Sequence, residues 1–161
     1  MRILKGNEEQ RAIRYFEKAA SVALNSKCLK VKCGSVITHN NKIIGKGWNS
    51  PPNDKSIDYC IKEILPEDFK SEKHCCLHAE QRAVMDAMKN YLHLKMFKDT
   101  RIYFMRLDKD NNMTKAGKPY CTICSKFVLD NGIKEFALWH KQGIAVYDAE
   151  EYNNLSFQIS K

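Results

Sequence analysis

The chain has little that bends or breaks it: four prolines and seven glycines in 161 residues. No internal repeat and no low-complexity tract is visible, which excludes solenoid, collagen-like and disordered architectures. No apolar stretch exceeds a few residues, against about 20 needed to cross a bilayer, so a transmembrane helix is excluded. The opening residues, Met1 to Glu9, are charged where a secretory signal is apolar, and a cytoplasmic location is expected. A dense basic run and an interleaved aromatic ladder are also missing. The net charge of +8 is spread along the chain and suits a nucleotide substrate, an RNA substrate or a solvated surface equally. At this length, with 43% hydrophobic and 29% charged residues, a single globular domain over residues 1–161 is expected.

Cysteine is plentiful, but its number is seven, which no set of internal disulfides can pair completely. In a reducing compartment such clustering points to metal binding or catalysis before disulfides. Cys28 and Cys33, Cys60, Cys75 and Cys76, and Cys121 and Cys124 form the clusters. Cys33, inside an apolar run, reads as a small buried hydrophobe.

Periodicity yields the element order α-β-β-α-β-α-β-β-α, a mixed α/β fold. Asn7 with Gln10 resembles a capping box that opens a first helix running to about Ser26. Two β-rich runs, 34–39 and 42–48, flank a hairpin turn at Asn40-Asn41. Residues 49–75 read as a long structured loop, a length usually associated with function. A second helix is expected over 78–94, a strand over 101–107, and a polar loop or hairpin extension over 108–118. A third helix over 121–130 ends at Asn131-Gly132. Strands over 133–139 and 144–147 precede a last helix opened by Asp148 with Glu151. His93 and His140 read as ordinary surface or core histidines, and Trp139 as a strand-end aromatic, with a place in the pocket lining as the lesser alternative.

Two segments carry chemistry. Cys76-Leu77-His78-Ala79-Glu80 opens the second helix, and Pro119-Tyr120-Cys121-Thr122-Ile123-Cys124 opens the third. Cys121 and Cys124, three apart, share a helix face and can grip one metal ion. At the first turn the helix dipole favours their thiolates. His78 supplies a third ligand and leaves the fourth tetrahedral position to water, the composition of a catalytic zinc site. Glu80 lies near the metal without binding it, placed as a proton shuttle. This His-x-Glu with a downstream Cys-x-x-Cys is the signature of zinc-dependent base deaminases.

From about Ser26 to Tyr147 the chain resembles the cytidine and deoxycytidylate deaminase superfamily, which includes tRNA adenosine deaminases. Besides the metal segments, Cys33-Gly34-Ser35-Val36-Ile37 and Gly45-Lys46-Gly47-Trp48-Asn49 carry the likeness. It implies a three-layer cytidine-deaminase-like fold, a mixed five-stranded sheet covered by helices. Asn49 would touch the sugar or base, and the backbone at Ala79 would meet the base edge. Asn49-Ser50-Pro51-Pro52 before a cysteine-bearing loop looks most like deoxycytidylate deaminases. Some of these hold a second, structural zinc, for which Cys28, Cys60 and Cys76 match, with His74 or Cys75 to complete the set. Homo-oligomers are usual among such relatives. Two departures stand out: Tyr120 separates Pro119 from Cys121, and 108–118 is inserted.

The leading expectation is hydrolytic deamination of a cytosine nucleotide, dCMP to dUMP and ammonia. Lys115 and Lys118 are candidates to meet its phosphate. The same chemistry on tRNA or single-stranded DNA is an alternative, weakened by the lack of an added nucleic-acid-binding segment. A non-catalytic zinc-bound partner subunit is another, and Glu80 weighs against it.

Overall fold

A computed structural model describes residues 1–69, 74–91 and 98–158. In chain order the elements are β1 (Arg2–Ile3), α1 (Gly6–Ala23), β2 (Lys32–His39), β3 (Lys42–Trp48), α2 (Ala79–Asn90), β4 (Arg101–Leu107), β5 (Met113–Thr114), α3 (Thr122–Asp130), β6 (Glu135–His140), β7 (Gly143–Asp148) and α4 (Ala149–Ser156). Three short 3₁₀ turns, Pro52–Asp54, Ile61–Glu63 and Glu67–Phe69, organise the long loop.

The strands form one mixed sheet in the order β1-β7-β6-β4-β2-β3, with β5 pairing β4. Among the described residues there are seven strands, not the five expected. The five long ones are those anticipated, and the additions, β1 and β5, are two residues each. Period-2 alternation sorts the core onto two faces. Val36 and Tyr103 pack under α1 with Phe16. Their neighbours Ile37 and Ile102 point the other way, onto Val84 of α2, Val128 of α3 and Tyr152 of α4. The result is three layers, one helix on one face and three on the other.

Local chemistry explains most boundaries. Asn40 and Asn41 both adopt positive φ, 48° and 61°, as a tight hairpin turn requires. Asp148 caps α4 by accepting from the amides of Glu150 at 2.9 Å and Glu151 at 3.5 Å. The capping box at Asn7 does not form. Helix α1 starts earlier, at Gly6, with extended Lys5 at the cap position and no side-chain cap. The cause is tertiary: the Leu4 amide bonds Ile144 at 2.8 Å and its side chain is buried, so the chain must turn at Gly6, where φ is 58°. Helix α1 also stops at Ala23, short of Ser26, whose hydroxyl donates instead to the Asn49 side chain at 2.8 Å. The second helix ends at Asn90, short of the expected 94, because Tyr91 is already extended; residues 92–94, with His93, lie outside the described residues.

Strands β3, β4 and β6 run in one direction, since β2 is antiparallel to both β3 and β4, and β4 is parallel to β6. Helices α2 and α3 follow β3 and β4, so both begin at the same sheet edge, where α/β folds place their sites. Glycine permits the close approach. A Cβ at Gly47 would lie 2.3 Å from the carbonyl oxygen of Ala79, the first residue of α2.

Candidate active site

His78 occupies the N-cap of α2, and two contacts fix it. Its amide donates to Gln81 Oε1 at 3.0 Å, and the preceding residue, Leu77, bridges to Ser50 through a 2.9 Å amide-to-carbonyl bond. Cys121 is the N-cap of α3, its Sγ accepting from the Cys124 amide at 3.2 Å. The two helix starts face each other. His78 Nδ1 lies 3.3 Å from Cys121 Sγ and 3.0 Å from Cys124 Sγ, and the sulfurs are 2.7 Å apart. Among the described residues this is the one group in which three ligand atoms all lie within 4.8 Å of one another. None of the seven cysteines is in a disulfide.

The electrostatics follow from this crowding. A hydrogen bond from the Cys124 thiol, reinforced by His78, lowers the Cys121 thiol to about 4. Cys124 is pushed strongly up because the pair shares one proton, and burial adds to the effect. His78 is raised by its bond to Cys121. Glu80 is 5% exposed, and burial first, then the charge on Cys121, lifts its carboxyl to about 7. Soft sulfur donors and an imidazole nitrogen converge where thiolate charge lacks a full counter-charge, and that donor set fits a zinc dication.

Glu80 and Cys121 open into a cavity of about 970 Å³, whose other walls include Phe104, Trp139 and Tyr152. Cys33 also lines it, and burial raises its thiol to about 12, in keeping with an inert hydrophobe. Trp139, read from sequence as a strand-end aromatic, is part of the wall. Tyr152 was not foreseen: it stacks on Phe136 at 3.8 Å, 4% exposed, with its hydroxyl beside the Tyr120 backbone amide. No motif marks it, since only the docking of α4 on α3 brings it there. The inserted Tyr120 turns its own side chain outward, 86% exposed.

Asn49 is placed differently from a side chain waiting for a ligand. Its Oδ1 accepts from the Cys33 amide at 2.7 Å and from Ser26, and its Nδ2 donates to the Val31 carbonyl at 2.8 Å. Ala79 is buried at the start of α2, beneath Gly47.

The remaining cysteines gather under the long loop. Cys60 and Cys75 have their sulfurs 3.6 Å apart, and the Cys76 thiol hydrogen-bonds Cys28. Burial, then the neighbouring Cys28, raises Cys76 to about 12. The His74 ring packs edge-on against His78 at 5.1 Å between centroids. Of the two options for completing this cluster, Cys75 has its sulfur beside Cys60.

Residues 8–139 match the model of the cytidine and deoxycytidylate deaminase zinc-binding region. The chain belongs to this family. It is 33% identical over 79 residues to deoxycytidylate deaminase of Saccharomyces cerevisiae; the match covers 45% of this chain and 25% of the yeast protein. Cytidine deaminase from Burkholderia pseudomallei shares the fold, with a TM-score of 0.58 at 16% identity over 87% of this chain and 94% of that one. So does dCMP deaminase from cyanophage S-TIM5, solved with dCMP and dUMP, with a TM-score of 0.51 at 22% identity over 83% and 81%. Among the described residues no helix is long and apolar enough to cross a membrane.

Proposed function

We propose that this family member deaminates a cytosine nucleotide, dCMP plus water giving dUMP plus ammonia, at the His78–Cys121–Cys124 centre. The observation that carries the reading is the convergence of one imidazole and two sulfurs beside a buried carboxyl that opens into a cavity large enough to admit a nucleotide. Zinc held by these three residues would supply the Lewis acidity that brings the pKa of a water molecule from 15.7 to roughly 7.

The chain's own groups do the rest. Glu80 accepts the proton of the attacking water and passes it to ring atom N3. A C4–O bond forms, the C4–N bond to the amino group breaks, and Glu80 delivers the second proton to the departing ammonia. The walls around Glu80 limit competing solvent, and Ala79, at the start of α2, presents backbone toward the base. Asn49 acts by holding residues 31–33 at the cavity rim through its bonds to Val31 and Cys33, with a third side-chain bond to Ser26. Ammonia release screened over cytosine, adenine and guanine nucleosides, nucleotides and short oligonucleotides tests the reading. Preference for dCMP supports it, and turnover confined to oligonucleotides overturns it.

We also propose that Cys28, Cys60, Cys75 and Cys76 hold a second, structural zinc that pins the long loop. Support comes from the two close sulfur pairs, Cys60 with Cys75 and Cys28 with Cys76. Elemental analysis should return two zinc ions per chain; a value of one refutes this site.

A further inference from the structure

The insertion at 108–118 is a built structure. Asp108 Oδ1 accepts from the amides of Asp110 and Asn112 at 2.9 and 2.8 Å, turning the chain back so that β5 pairs with β4. The next residues are tied to the end of β6: the Ala116 amide donates to the Trp139 carbonyl at 2.8 Å, and His140 Nδ1 lies 3.1 Å from the Ala116 carbonyl. The segment therefore stands as a fixed wall of the catalytic cavity.

Three cations face that cavity: Arg106 from the end of β4, and Lys115 and Lys118 from the insertion. Among the described residues none of the three makes an ion pair. The nearby carboxylate of Asp108 is engaged by backbone amides. Lys115 is held in place by aromatic contact, its ammonium 3.4 Å from the Trp139 ring centre. Cations without an ion pair among the described residues, in the wall of a cavity that Glu80 and Cys121 also line, call for an anionic group on the ligand. The cavity, about 970 Å³, lies at the upper end of the roughly 300–1,000 Å³ usual for small-ligand sites.

We propose that Lys115, with Arg106 and Lys118 beside it, binds the 5′-phosphate of the substrate, so that the insertion selects nucleoside monophosphates over nucleosides. This rests on the deaminase reading of the site but not on which base is deaminated. A charge-assisted contact to phosphate accounts for roughly 10- to 100-fold in affinity.

The test uses zinc-loaded full-length protein and the ratio of kcat/KM for dCMP to that for deoxycytidine, with calorimetric Kd values for dUMP and deoxyuridine alongside. Lys115→Ala should lower both nucleotide-to-nucleoside ratios roughly 10- to 100-fold, the kinetic part chiefly through KM. Lys115→Arg should keep most of the preference, and Lys18→Ala, on the exposed side of α1, should leave it at the wild-type value. If Lys115→Ala retains the wild-type ratio, or if wild type shows no preference for the phosphorylated ligand, the proposal is overturned. Should the enzyme instead deaminate a purine nucleotide while Lys115→Ala still erases the preference for its phosphate, the cytosine reading fails and this one stands.

Discussion

Glu80→Gln separates what the carboxyl does for the reaction from what it costs the fold. The side chain keeps its shape and its burial but can no longer ionise or shuttle a proton. In the metal-free protein the Glu80 carboxyl is held at about 7, against an ordinary value of 4.5. Between those two pH values the folded chain keeps a proton that the unfolded chain has lost. Stability from this group is therefore present below about pH 4.5 and drains away as pH rises to about 7. Each tenfold change in proton affinity is worth about 1.4 kcal/mol, so the loss across the window is roughly 3 kcal/mol. Metal-free Glu80→Gln should then be more stable than metal-free wild type by roughly 3 kcal/mol at pH 8, about 6–12 °C in Tm for a chain of this size. The two should converge near pH 4.5. Turnover of the zinc-loaded variant should fall by roughly 100- to 10,000-fold with zinc content unchanged. Thermal melts from pH 4.5 to 8 and ammonia release read the two effects independently. Parallel stability curves, or turnover within tenfold of wild type, would refute the placement of Glu80 as a buried proton carrier.

Other expectations follow from the same geometry. Gly47→Ala drives a Cβ to 2.3 Å from both the Ala79 carbonyl oxygen and the Ala83 amide nitrogen; it should cost about 1–3 kcal/mol and weaken zinc retention by displacing the start of α2, measured by denaturant melts and metal content. Tyr152→Phe keeps the stack on Phe136 but frees the Tyr120 amide beside Cys121. It should leave Tm within a few degrees and lower kcat more than it changes KM, whereas an unchanged kcat would make the tyrosine mere packing. Zinc added to metal-free protein at pH 7 in weak buffer should release about one proton or more from the catalytic ligands, because Cys124 carries a proton there that the metal must displace and the upward shift of His78 adds to the release. An indicator dye that registers none would exclude these residues as the ligands.

The residues that were legible in the sequence share one property: their roles depend on spacing within a single helical turn. Cys121 and Cys124 need only the three-residue interval to present two sulfurs together, and Glu80 needs only its offset from His78. Likewise the Asn40-Asn41 turn and the Asp148 cap are satisfied by neighbours in sequence. Where the outcome depended on distant chain, local signals failed. Asn7 carries a sound capping pattern, but Leu4 is bound into the core beside Ile144, and that contact starts the helix earlier. His74 and Cys75 are equal candidates by position, and only the fold of the loop sets the Cys75 sulfur beside Cys60 and the His74 ring against His78.

The cavity wall was hidden for the same reason. Phe104, Trp139 and Tyr152 come from two strands and a terminal helix, and nothing in their own neighbourhoods distinguishes them from core aromatics. The motif can be short because the common direction of β3, β4 and β6 delivers two helix starts to one edge whatever the rest of the sequence is. That division lets the chemistry stay in a handful of positions while an insertion such as 108–118 rebuilds the surface facing the ligand. Substrate choice in this chain is therefore expected to lie in the segments without a motif, and the cations of 108–118, which make no ion pair among the described residues, are where the structure concentrates it.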